Sequence, residues 1–165
     1  MSLKSDLSAD YRVNKRLLGR ITVTAFRVNR WAHRSRARKL KRVLAKALDV
    51  VWMQGVVGAD MPGRVHCGPG LRLPHGGRGI AIHPNVRIGA GVAFYHRVTL
   101  RGFGHDRTNV PTVGDGVLFC VNSAAVGRVN VGNNVTVGAG TVISSDVPDG
   151  ATAVGAKARY LGLSD

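Results

Sequence analysis

The chain has 165 residues, 44% of them hydrophobic but only 5% aromatic, with 22 glycines; this predicts one folded unit of turns and short strands, with little room for a second independent domain. Lysine and arginine outnumber acids 24 to 9, all nine acids are aspartates and the net charge is +15, so the expected partners are anions. No run approaches the ~18 to 20 apolar residues of a membrane span, the start MSLKSDLSAD has no apolar core followed by a cleavage site, and Cys67 and Cys120 stand far apart without a disulfide or metal-ligand pattern; a cytoplasmic protein with two ordinary thiols is expected.

Residues 1–57 hold 14 basic and three acidic side chains and almost no glycine. Leu17, Ile21, Thr24, Val28 and Trp31 recur at steps of three and four, as do Leu40, Leu44, Ala47 and Val51. That is the period of two amphipathic α-helices, broken near HRSRA. The basic run HRSRARKLKR could grip nucleic acid or an anionic membrane surface. It has no interleaved aromatics and no recognised binding motif, so nucleic acid is not an expected partner. Helices packed on the end of the following unit, basic face in water, are the plainer reading, and weak contact with an anionic membrane is the alternative.

At Gly58 the chain changes character: residues 58–165 contain 20 of the 22 glycines. Ile80, Val86, Val92 and Val98 are six apart, and so are Ile82, Ile88, Phe94 and Leu100. The six-step returns in Val113, Phe119, Ala125, Val131, Val137 and Ile143, accompanied by Val117, Ser123, Val129, Val135, Thr141 and Val147. A hexapeptide cannot bury its own apolar face, so successive turns stack into a solenoid around an aliphatic column, with glycine at the corners. The period does not set the handedness. Leu71 to Ile80 is a step of nine, so PHGGRG holds three extra residues; a second, longer interruption, RGFGHDRTNVPT, covers residues 101–112. Insertions project from the corners of a solenoid, where binding faces are commonly built.

Asp60 and His75 stand fifteen positions apart among glycine, proline and aliphatics. A triangular coil of three hexapeptides takes about eighteen residues, so the two can lie close after almost one circuit. A neutral imidazole can take the proton of a hydroxyl as it attacks an acyl carbon, while a carboxylate fixes the tautomer. Alternatively the pair is structural, Asp60 at the first turn and His75 on an exposed corner. His66, His83 and His96 sit between aliphatics and read as structural or surface residues; none has the close spacing of a metal site, and no metal is expected. His105, Asp106 and Arg107 lie in the long charged loop and are candidates for substrate recognition, a solvated loop being the alternative. Phosphate-binding glycine motifs are missing. A phosphate-bearing cofactor such as coenzyme A therefore has to lie on the solenoid surface, with Lys157 and Arg159 as contacts or simply as a soluble terminus.

The stretch GADMPGRVHCGPGLRLPHGGRGIAIHPNVRIGAGVAFYHRVTL, followed by PTVGDGV, VNVGNNVTVGAGTVISSDVP and VGAKARYLG, resembles the serine acetyltransferases of the hexapeptide acyltransferase superfamily over residues 58–162. FRVNRWAH and the helix after it look like the last helices before the repeat in those enzymes. The resemblance implies a mainly β fold: a basic α-helical segment, 1–57, before a left-handed parallel β-helix, 58–165, with a protruding loop, 101–112. That handedness departs from the usual crossover rule. It further implies a homotrimer with active sites between subunits, acetyl-CoA as co-substrate in a groove touching Gly138, Ala139, Lys157 and Arg159, and direct acetyl transfer to a hydroxyl, that of L-serine in this family. The family's catalytic base and its carboxylate partner match His75 and Asp60.

The acceptor residues differ. Pro74 stands where the family has an aspartate before the histidine, and Asn109 and Val110 precede Pro111 where it has an Arg-His pair; Arg107 is the arginine a small shift away. Asp10 loosely matches an aspartate that binds the acceptor amine. Cys120 and Val121 replace a Gly-Ala in the later repeat, and the helical part is far shorter than in the long enzymes. Two other functions stay open: acetyl transfer to a sugar or natural-product hydroxyl, and a non-catalytic solenoid that binds an anionic surface or partner through its basic helices.

Overall fold

The computed structural model describes residues 2–34, 39–104 and 106–155. From Gly58 the chain winds into a three-sided prism of parallel strands. The first face stacks Asp60, β2 (Ala81–Ile82), β5 (Thr99–Arg101), β8 (Ala124–Val126) and β11 (Val142–Ile143). The second stacks β1 (His66–Cys67), β3 (Arg87–Ile88), β6 (Thr112–Val113), β9 (Asn130–Val131) and Val147. The third stacks Arg72, β4 (Ala93–Phe94), β7 (Leu118–Phe119), β10 (Thr136–Val137) and β12 (Thr152–Ala153). Along the first face Asp60 pairs with Ala81, Ala81 with Thr99, Thr99 with Ala124 and Ala124 with Val142, so successive circuits take 21, 18, 25 and 18 residues. Regular circuits are three hexapeptides; the two long ones hold the two interruptions.

The six-step aliphatics point inward. Ile80, Ile82, Val98, Leu100, Val117, Val135 and Val137 are fully buried, and Phe94 and Phe119, one above the other on the third face, stack with ring centroids 5.5 Å apart. At the edge between the second and third faces the chain turns through left-handed backbone at Gly70, Gly91, Gly116, Asn134 and Gly150. Glycine adopts that conformation without steric cost, and asparagine tolerates it.

A helical layer closes the first end of the prism: α1 (Leu3–Val13), α2 (Leu17–Arg34) and α3 (Lys39–Leu48), the last continuing as a π-helix over Asp49–Val57. Three features differ from the two amphipathic helices expected. α1 is an additional helix, started by a Ser2–Ser5 capping box; its buried positions are Asp6 and Asp10, so no apolar stripe announces it. α2 turns Val23, Phe26, Arg27 and Arg30 inward, leaving Leu17 73% and Trp31 38% exposed. On the third helix Ala45, Asp49 and Met53 face inward while Leu40, Leu44 and Val51 face out. The period was read correctly and the inward face was not, because charged groups occupy it.

Those groups weld the helices to the first circuit. Arg27, 1% exposed, donates from Nε to Asp10 at 2.7 Å and from Nη1 and Nη2 to the carbonyls of Cys67 and Gly68 at 2.9 and 2.6 Å. Burial works against its charge, but the Asp10 hydrogen bond and the neighbouring carboxylates carry its pKa above the ordinary arginine value. Asp10 also accepts the Leu71 amide at 2.9 Å, and Asn14 donates to the Leu71 carbonyl and accepts the Leu73 amide at 2.7 and 2.8 Å. The open rim of the solenoid thus has its backbone groups satisfied, as a terminal coil requires. Asp10 is fully buried and spent on this joint, which takes it out of any role with an acceptor amine.

Candidate active site

The three-residue insertion sits at the edge between the third face and the first. Gly76, Gly77 and Gly79 all have positive φ, and a Cβ on Gly76 would run into Leu18 of α2. The insertion is therefore pressed against the α1–α2 turn, and His75 stands exposed at its tip. Because the circuit is 21 residues long, position 96 lies directly over position 75. The His75 ring meets His96 edge-on at 4.9 Å and Tyr95 at 5.4 Å. Among the described residues, the buried His96 Nδ1 meets no hydrogen-bond partner in the protomer. His96, read from the sequence as a structural or surface residue, thus packs against His75.

Above His75 the same edge continues through Tyr95–Arg97, Cys120–Asn122 and Gly138–Gly140. Backbone bonds tie these corners together, Asn122 donating to His96 at 3.1 Å and Gly140 to Val121 at 2.9 Å. Ala139 is three rungs above His75, about 14 Å at the usual strand spacing. Gly138 and Ala139 therefore share one edge with His75. Lys157 and Arg159 lie outside the described residues.

Beside His75 opens a cavity of about 320 Å³ between the insertion and the α1–α2 turn, lined by Val13, Asn14, Lys15, Arg16, Arg72, Pro74 and Tyr95. Three cations there were not singled out in the sequence, because they come from two distant segments. Nothing in a single chain's spacing brings Lys15 and Arg16 to Arg72 until the Asn14 joint is known.

Asp60 begins the first face, its amide and carbonyl bonded to Ile80 and Ile82 at 2.8 Å. Its carboxylate is exposed and pairs with Arg101 at 3.5 Å. Among the described residues no hydrogen bond or ion pair joins Asp60 to His75 within the protomer. The loop 101–112 leaves from the edge between the first and second faces, a different corner of the triangle. Asp106 there accepts the Thr108 amide and hydroxyl at 2.8 and 2.7 Å; these hydrogen bonds hold its carboxyl below the usual range. Arg107 projects into solvent, its carbonyl accepting from Asn85 at 2.8 Å. His105 lies outside the described residues. Of the other histidines, His83 accepts the Asn85 amide at Nδ1, 3.2 Å away, and His66 is pushed below its ordinary pKa by burial and by Arg30 and Arg87.

No protein-family model matches the chain. Among curated proteins it is 36% identical over 119 residues to the serine acetyltransferase of Helicobacter pylori strain J99, covering 72% of this chain and 68% of that one. It is 33% identical over 152 residues to serine acetyltransferase 4 of Arabidopsis thaliana, covering 90% of this chain and 41% of that one. Among solved structures, the soybean serine acetyltransferase apoenzyme superposes with a TM-score of 0.81 at 31% identity, over 96% of this chain and 68% of that one. The Neisseria gonorrhoeae enzyme gives 0.74 at 27%, over 96% and 66%. The chain thus spans about two thirds of these bacterial and soybean proteins and less than half of the Arabidopsis one. With a prism of three parallel sheets, its core spacing and these likenesses in agreement, the chain belongs to the serine acetyltransferase family of hexapeptide acyltransferases and is an acyltransferase with that family's left-handed parallel β-helix.

Proposed function

We propose that the chain transfers the acetyl group of acetyl-CoA to a hydroxyl, that of L-serine, in the cytoplasm where acetyl-CoA is supplied, making the ester used in cysteine biosynthesis. The observation that carries this is that His75 and the Gly138–Ala139 corner lie on one edge of the prism. That edge offers a track for the pantetheine arm with a base at its end.

His75 takes the acceptor proton as the hydroxyl oxygen attacks the thioester carbonyl; the carbon–sulfur bond breaks, and the imidazolium returns the proton to the departing thiolate. Asp60 orients the imidazole. Its partner in the protomer, Arg101, is an exposed one, and such surface pairs are worth about 1 kcal/mol or less, so the carboxylate is free to turn to His75 when the site assembles. Lys15, Arg16 and Arg72 hold the acceptor's carboxylate. Asp106 and Arg107, with His105, contact the acceptor from the loop of a neighbouring protomer in a homotrimer, and Lys157 and Arg159 hold the CoA phosphates. The helical segment 1–57 carries no part of the chemistry beyond Lys15 and Arg16; it closes the solenoid 58–165 and offers a cationic surface to anions.

One feature favours a second acceptor. Three cations line the cavity beside His75 and, among the described residues, no carboxylate does, while Pro74 stands where the family carries an aspartate. An acid-bearing sugar hydroxyl suits this lining as well as serine does. Thiol release from acetyl-CoA, measured with L-serine and with a panel of sugar acids, separates the two. His75→Ala is expected to bind acetyl-CoA normally while turnover falls ~10²- to 10⁴-fold; near wild-type turnover in that variant ends the mechanism.

A further inference from the structure

Among the described residues, the outward side of α3 and of the start of the π-helix after it is largely open in the protomer. Leu40, Val43, Leu44 and Val51 are between 61% and 69% exposed, and Leu48 and Val50 are 38% and 45% exposed. At 100° per residue Leu40, Val43, Leu44 and Leu48 project within one sector of α3, and Val50 and Val51 carry the apolar surface onto the π-helical stretch that follows. Lys39, Lys41 and Lys46 flank the sector, with the Lys41 ammonium 5.6 Å from the centre of the Trp31 ring, which is itself partly exposed. Next to α3, between it, α2 and the first circuit, lies a cavity of about 590 Å³ lined by His33, Arg34, Lys46 and Arg64 together with Asn29, Ala32 and Gly63. Lys46 also reaches Asp49 at 3.6 Å.

An apolar stripe bordered by lysines and a tryptophan, beside a cationic cavity, offers two kinds of contact. Acyl chains fit the stripe and headgroup phosphates fit the lysines and the cavity. A second copy laid along the stripe is a poorer match, since Lys39, Lys41 and Lys46 flank it and would be set against their own counterparts. Nucleic acid would satisfy the cations and leave the stripe in water. We infer that α3 lies flat in the headgroup layer of an anionic membrane and holds the enzyme at that surface. The inference uses residues away from His75 and does not depend on which hydroxyl is acetylated.

The full chain is sedimented with vesicles of phosphatidylcholine and of phosphatidylcholine mixed with phosphatidylglycerol. It is expected to pellet with the anionic vesicles only, and Leu44→Asp/Val51→Asp to lose that binding by about tenfold or more, since both the stripe and the charge balance suffer. Light scattering is expected to give both proteins the same mass. Leu44→Trp keeps the stripe apolar, and its fluorescence is expected to be quenched by lipids brominated in the acyl chain. Unchanged pelleting of the double variant, absence of quenching, or a smaller mass for the double variant each overturns the inference; the last would show that another copy covers the stripe. If the double variant does not fold, the quenching result decides alone.

Discussion

Cys67 and Cys120 sit in the same prism with different access to solvent. Cys67 points into the core, and burial pushes its thiol up to about 11 despite the pull of Arg27 and Arg30. Cys120 is half-buried on the edge above Tyr95 and below Gly138. If the pantetheine arm runs along that edge, it passes over Cys120. In the native protein an alkylating reagent is therefore expected to label Cys120, which it can reach, and to spare Cys67, buried and held as the thiol, until the chain unfolds. Saturating acetyl-CoA should slow labelling of Cys120, and the labelled protein should lose activity. Peptide mass spectrometry reads both sites at once; labelling of Cys120 that ignores acetyl-CoA and leaves turnover intact would move the cofactor track elsewhere. His96 shows how far the sequence reaches at this scale. Once the nine-step from Leu71 to Ile80 is seen, a 21-residue circuit follows, and residue 96 must stand over residue 75. The signal was present as a spacing, not as a residue type. The Asp60–Arg101 pair and the cations of the α1–α2 turn gave no such signal, since they meet through tertiary contacts without a period.

Among the elements, the prism was legible and the helical layer was only half so. Hexapeptides advertise themselves because each inward position is aliphatic, and Ile82, Ile88, Phe94 and Leu100 are indeed all buried to 1% exposure or less. The helices bury Asp6, Asp10, Arg27, Arg30 and Asp49 among their inward residues, so hydrophobic periodicity did not mark the inner side. The physical reason is the rim: the first circuit ends in unpaired backbone groups, and Asp10, Asn14 and Arg27 can satisfy them where leucines cannot. This predicts where stability is concentrated. Asp10→Ala leaves the Leu71 amide unpaired and the Arg27 guanidinium with Asp6 at 3.6 Å and two carbonyls, and removal of one partner from a buried pair costs about 3 to 5 kcal/mol. Replacing both residues, as in Asp10→Leu/Arg27→Met, is expected to recover part of that loss, because Asp6 still has Arg30 at 3.3 Å and no buried charge is left alone. Urea unfolding followed by circular dichroism gives both values. Equal destabilisation by the single and double variants would mean that the backbone contacts, not the ion pair, hold the joint.

For the whole molecule the decisive geometry is that His75 and the loop occupy different corners of the triangle. No rearrangement within a circuit brings the edge of His75 to the edge that carries Arg107, because a full prism face separates them. A three-fold assembly removes the difficulty, since its contacts are heterologous and put one patch of each protomer against a different patch of the next. In the trimer we propose, the His75 edge of one protomer meets the loop of its neighbour, and the site exists only between chains. Subunits of His75→Ala and of Arg107→Ala, each expected to be nearly inactive alone, should then complement when unfolded together and reassembled. At equal mixing a site is whole when a protomer with an intact His75 has a neighbour with an intact Arg107, so about a quarter of wild-type turnover is expected. Mixing without reassembly supplies the control and should give none. Activity that stays at the sum of the two variants after reassembly would put base and loop to work in the same protomer, and full turnover by Arg107→Ala alone would remove the loop from the site.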